Sequence, residues 1–182
     1  FYSQVTHPDM LDRVFEAALR AGANLIIPCS FVDVMNEPEA KVVKRVAERG
    51  LYVTQHHIEP LGVSHFGFEN YWSARGKEYA FSYGSEPEKV REVWRAFARR
   101  WHELAGEKVV WQLGLRGKGD AAIWHSDKSV TRAEGGKMIS RAMAEQREIV
   151  LGIDSRKNPP MTTTLWLEAS PLMAEGALII PE

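Results

Sequence analysis

Apolar positions recur along this chain in two periods, and the two alternate. Leu11, Val14, Phe15 and Ala18 share one face of a 3.6-residue repeat that Gly22 stops. Thr6-His7-Pro8-Asp9 has capping-box spacing ahead of it. Asn24-Leu25-Ile26-Ile27 is then a short unbroken apolar run, closed by Pro28. A second helical stripe, Ala40, Val43, Val46 and Ala47, follows Asn36 and Pro38 and ends at Gly50. Leu51-Tyr52-Val53-Thr54-Gln55 predicts the next strand. From Leu61 to Gly84 no period emerges, and the stretch reads as a long loop rich in Phe, Tyr and Gly. Ser85 and Glu88 then have capping-box spacing for a helix faced by Val90, Val93, Trp94, Phe97, Trp101 and Leu104, whose tryptophans are assigned to the core. Val109-Val110-Trp111-Gln112-Leu113 predicts a strand buried on both faces. Thr131 and Glu134 open another helix, through Met138, Ala142 and Ile149 to Gly152. Met161 to Leu167 predicts the last strand, and a short helix is expected between Ser170 and Gly176.

The order is α-β-α-β-α-β-α-β-α. Strands alternating with helices predict an α/β fold of βαβ units with parallel strands. The first strand is not followed by G-x-G-x-x-G, so the dinucleotide-binding fingerprint is missing. Four such strands suit a small open sheet or about half of a (β/α)8 TIM barrel. The chain starts at Phe1 and stops at Glu182, just after another apolar run. We therefore expect residues 1–182 to be a single α/β domain that is an incomplete segment of a catalytic barrel from a longer chain. By itself such a piece would have two open sheet edges and an uncovered face, and should be poorly soluble or self-associate.

Composition narrows the function. With 182 residues and 45% hydrophobic content the chain can bury a core. A formal net charge of −1 disfavours a general nucleic-acid binder. No apolar run has the length of a membrane span. The single cysteine, Cys29, rules out an internal disulfide framework.

Parallel strands bring their C-terminal ends to one side, where barrels assemble their chemistry. The four ends offer Cys29 and Ser30; His56, His57 and Glu59; Arg116 and Asp120; and Trp166 with Glu168. Asp120 and Glu168 come from adjacent ends. Two carboxylates flanking one bond are what glycoside hydrolysis needs, one to donate a proton and one to activate water or attack. The planar fork of Arg116 suits a carboxylate or a cluster of hydroxyls. Trp124 and the aromatics of the long loop could stack on sugar rings. Two other readings stay open on these residues. One is a non-catalytic carbohydrate-binding barrel. The other is a metal-dependent barrel hydrolase or isomerase using His57, Glu59, His125 and Glu168, although no dense ligand motif is present. His56 and His57 are adjacent, so at most one faces a site if both lie in a strand.

Several segments resemble glycoside hydrolase family 115, the xylan α-1,2-glucuronidases. Gly114-Leu115-Arg116-Gly117-Lys118-Gly119-Asp120 resembles the family's G-M-R-G-x-G-D segment. His57-Ile58-Glu59-Pro60-Leu61 resembles its H-x-E-P-M segment, and Ala144-Glu145-Gln146-Arg147-Glu148-Ile149-Val150 its A-D-Q-R-x-I-L helix. Gly176 to Glu182 is similar to a following G-x-x-x-P-D stretch. The resemblance implies an inverting enzyme that removes glucuronic acid or its 4-O-methyl ether from xylan side chains. It implies Asp120 and Glu168 as the catalytic pair, with His57, Glu59, Arg116 and Trp166 as substrate-binding residues. It implies a polysaccharide or oligosaccharide substrate, no cofactor or metal, no nucleic acid or membrane partner, and a periplasmic or secreted location. Self-association of the full-length protein is compatible with it. Leu115 and Leu61 replace the family's methionines, Lys118 stands where an acidic residue is frequent, and Asp127 and Trp124-His125 depart from the pattern.

Overall fold

The computed structural model of the protein describes residues 7–126 and 130–182. Four parallel strands, β1 (Leu25–Ile26), β2 (Tyr52–Thr54), β3 (Val109–Leu113) and β4 (Met161–Thr163), lie side by side in chain order. The helices are α1 (Pro8–Arg20), α2 (Glu37–Glu48), α3 (His65–Ser73), α4 (Pro87–Ala105), α5 (Ile123–Ser126), α6 (Arg132–Leu151) and α7 (Ala169–Ala174). A sheet ordered 1-2-3-4 with right-handed crossovers puts every connecting helix on the same face. That is the winding of a barrel and not of a doubly wound sheet, which has helices on both faces.

Burial follows from this. Val53, Val109 and Trp111 point to the helices and are fully buried, against Phe15, Val43, Val93, Phe97 and Trp101. The alternate residues point away from the helices. There Leu25 is 44% and Tyr52 38% exposed, while Thr54 and Gln112 are buried. β3 is one of the two interior strands and is largely buried along its length, as its composition predicts, and Trp94 and Trp101 are core residues as expected. Among the described residues no helix is long and apolar enough to cross a membrane.

Several elements differ from the periodicity reading. β3 has its predicted extent, whereas β1, β2 and above all β4 are shorter than predicted. After Thr163 the chain turns, with the Trp166 amide donating to Thr164 O at 2.9 Å and Leu167 at φ +46°. The supposed loop from Leu61 to Gly84 contains α3. Its His65, Gly67, Phe68, Tyr71 and Trp72 are buried and its Phe66, Glu69, Asn70 and Ser73 exposed, but His65 and Gly67 on the inner face and Phe66 on the outer one blur the helical period. Ser64 did carry a signal, as its hydroxyl caps the helix by accepting from Gly67 N at 3.1 Å. Ser85 is not the cap of α4. The helix begins at Pro87 behind Glu86, and Ser85 N donates instead to Ser82 Oγ. Thr131 and Glu134 do form the expected capping box. His7 caps α1 through its ring; Thr6 and Asp127 lie outside the described residues.

Close approach explains one odd composition. Gly135 sits inside the first turns of α6, where helix propensity disfavours it. A Cβ there would overlap the Trp124 indole, so the glycine seats that ring. Trp124 is thus packed against α6, where it buttresses the loop from behind.

Candidate active site

The strand ends build the site in sequence. β3 runs out at Leu113, and Gly114 at φ +147° swings the chain toward Arg116. A tight turn follows, closed by Gly117 N donating to Ala121 O at 2.8 Å. Within it Asp120 takes φ +63°, a left-handed conformation that costs a side chain. The turn folds the Asp120 carboxylate back onto Arg116, whose Nε donates to Asp120 Oδ1 at 2.8 Å and whose Nη2 donates to the Asp120 carbonyl. Nη1 donates to Glu168 Oε1, from the residue just ahead of α7 after β4. One guanidinium, with its side chain only 9% exposed, therefore holds both carboxylates. Two hydrogen bonds across one guanidinium keep the nearest oxygens of the pair within about 8 Å.

β2 contributes from the other side. His57 Nε2 lies 3.2 Å from Asp120 Oδ2, and its ring is 5.3 Å from that of Trp166. Trp166 is 43% exposed and gives the site an open aromatic wall. His56 and His57 lie beyond the end of β2, so the strand alternation does not part them: their ring centroids are 4.2 Å apart, and His56 Nδ1 is buried without a partner. The structure thus brings Asp120, Glu168, Arg116, His57 and Trp166 together. Among the described residues no three His, Cys, Asp or Glu side chains converge in a cluster that could hold a metal ion, and His125 lies exposed on α5.

Glu59 is placed differently. It is 1% exposed and accepts from the amide of Phe31, which sits at φ +61° in the loop after β1. It therefore ties the first strand-end loop to the second. Periodicity could not show this, because a buried carboxylate in a loop leaves no pattern. Burial pushes its carboxyl up to about 7, partly opposed by the Phe31 amide. The native state then keeps a proton that the unfolded chain loses near 4.5, so stability falls as pH rises between those values, by about 3 kcal/mol in total. Glu59→Gln keeps an acceptor for Phe31 and cannot ionise. Urea denaturation at about pH 5 and about pH 8 should show the wild-type loss largely absent in the variant.

Asp120 goes the opposite way. Burial would raise it, but the hydrogen bonds and charge of Arg116 and the contact with His57 more than offset this and hold its carboxyl below the ordinary value. Asp120 is thus kept ionised at neutral pH, the state a general base requires.

A positioning residue completes the frame. Gln146 of α6 is fully buried, with Oε1 accepting from Gly114 N at 2.9 Å and Nε2 donating to Gly114 O at 2.7 Å. It satisfies both backbone groups at the point where β3 turns into the site. Gln146→Leu would leave both unpaired, and should lower stability by about 2–4 kcal/mol in thermal or urea unfolding. Gln146→Glu would keep the acceptor for Gly114 N but set a buried carboxylate oxygen against Gly114 O, and should lose at least as much at neutral pH.

No curated protein sequence matches this chain. Among solved structures it is similar to a family GH115 4-O-methyl-α-glucuronidase described as having specificity for decorated arabinogalactans, with 22% identity and a TM-score of 0.69. The match covers 96% of this chain and 22% of that protein, so the chain spans about a fifth of its relative's length. At that identity the likeness establishes the shared fold. A family model matches residues 2–182, and with the Arg-Gly-Lys-Gly-Asp turn and the Glu168 end held by one arginine, the chain belongs to glycosyl hydrolase family 115.

Proposed function

We propose that this chain supplies the central part of the catalytic site of an inverting α-glucuronidase. Its substrate would be a polymer such as xylan carrying α-1,2-linked glucuronic acid or its 4-O-methyl ether. The observation that carries the reading is the sharing of Arg116 by Asp120 and Glu168, which presents two acids from adjacent strand ends to one space. Family membership and the 4-O-methyl-α-glucuronidase neighbour support the same chemistry.

In this mechanism Asp120, kept ionised, takes the proton of the attacking water, and Glu168 protonates the leaving oxygen. Arg116 orients both. His57 steadies the outer oxygen of Asp120, and Trp166 offers a face for the sugar ring. The four parallel strands form half of a (β/α)8 barrel, with the open sheet face lining its interior. The enzyme meets its polymer in the periplasm or outside the cell.

The test uses the intact protein and a glucuronosylated xylo-oligosaccharide. Proton NMR during hydrolysis should show the β-anomer of the released uronic acid first. Initial α-anomer would mean a retaining route, with an acid pair nearer about 5 Å. Failure to release uronic acid from xylan and from arabinogalactan substrates alike would remove the proposal.

A further inference from the structure

A cavity of about 500 Å³ lies beside the acid pair without opening over it. One wall is the turn after β3, with Leu115, Arg116 and Lys118. The facing wall is the stretch between α3 and α4, with Tyr79, Phe81 and Tyr83. The volume falls within the range of small-molecule sites. The aromatic wall is set in advance. Tyr79 leans on Trp72 with ring centroids 4.8 Å apart, Phe81 on Phe68 at 5.2 Å, and the buried Tyr83 donates its hydroxyl to Glu145 at 2.7 Å. Tyr79 and Phe81 themselves are only half-buried, which leaves ring surface for a ligand.

Charge decides what that ligand is. Arg116 spends Nε, Nη1 and Nη2 on Asp120 and Glu168, and Lys118 Nζ is paired with Glu69 Oε1 at 2.8 Å. Glu78 adds another carboxylate to the lining. Both cations of the wall are engaged and the acids outnumber Lys118 at the rim. A uronate would be repelled here, whereas sugar hydroxyls can donate to the carboxylates and apolar ring faces can lie on the aromatics.

We propose that this cavity binds neutral sugar units of the polymer backbone next to the branch point, so that it reads the aglycone while the acid pair handles the uronic acid. The inference rests on the glycosidase reading above and adds a subsite to it. The test compares wild type with Phe81→Leu, which keeps an apolar plug against Phe68, and with Lys118→Glu at the exposed rim. For each, the kcat/KM on a glucuronosylated xylo-oligosaccharide is divided by that on 4-nitrophenyl α-glucuronide. A fall in this ratio of about tenfold in Phe81→Leu is expected; an unchanged ratio in both variants overturns the subsite. Calorimetric titration with unsubstituted xylotetraose reads the same site without turnover. Weaker binding in Phe81→Leu supports the subsite even if no uronic acid is ever released, in which case the glycosidase reading alone falls. Weakened binding of free glucuronic acid in that variant, with xylotetraose binding unaltered, overturns the assignment to neutral sugars.

Discussion

Asp120→Asn is expected to lower kcat on glucuronosylated oligosaccharides by roughly 10²–10⁴-fold, the range lost with a general acid or base, while KM moves little. The asparagine oxygen can still accept from Arg116 Nε, so the turn should keep its shape. What disappears is the negative charge that takes the proton from water. Glu168→Gln should lose a similar factor through the leaving-group step, and the loss should be smaller on substrates whose leaving group needs no proton. The double variant should fall short of the product of the two losses, because both acids act through one arginine and on one transition state. Loss of less than about tenfold in both single variants, measured as kcat in the intact protein, would break the paired-acid mechanism.

The largest stability effect is expected at the opposite end of β3. Asp154 is 4% exposed and accepts from Trp111 Nε1 at 2.9 Å and from Arg156 Nε at 2.9 Å. Arg156 in turn donates to Glu107 O at 2.6 Å and Val109 O at 2.7 Å, closing the entry to the strand. Asp154→Ala leaves a buried indole N–H and a half-buried guanidinium without their acceptor, and should cost about 3–5 kcal/mol in urea denaturation. Asp154→Asn, which still offers an oxygen to Trp111, should cost less. Burial would raise the Asp154 carboxyl, but the bonds from Arg156 and Trp111 outweigh it and hold it at about 2. Its native value lies below the unfolded one near 3.8, so this stabilisation, about 2 kcal/mol, is fully present above that value and is lost as pH falls through about 2. An Asp154→Ala protein as stable as wild type at neutral pH would contradict the assignment.

The alternation of periods was enough to read the parallel α/β architecture, because Val53, Val109 and Trp111 face helices whose own stripes are clean. It could not find α3, since the apolar Phe66 stands on the exposed face while His65 and Gly67 lie on the buried one, which blurs the stripe. It overran β4, since Leu165, Trp166 and Leu167 are as apolar as strand residues but leave the sheet and stand exposed at the site. Arg116, Asp120 and Glu168 were legible from their places at strand ends. That the two acids share Arg116 was not, because spacing in sequence says nothing of which donor meets which acceptor across 52 residues. Glu59 and Gln146 stood in recognisable segments, yet their tasks, holding Phe31 and Gly114, appear only in the backbone hydrogen bonds.

Among the described residues, four other than glycine have positive φ: Phe31, Leu61, Asp120 and Leu167. Each comes from a different strand-end loop, one after each of β1, β2, β3 and β4. A left-handed conformation costs such residues roughly 1–2 kcal/mol, and glycine would avoid it. Leu61 is buried in the core, so truncating it would cost more than the strain it relieves, but Leu167 is exposed, and an engineer selecting this protein for heat resistance should find glycine at Leu167 among the early winners. The same substitution would loosen the loop that carries Glu168, so thermal endurance would rise as turnover falls.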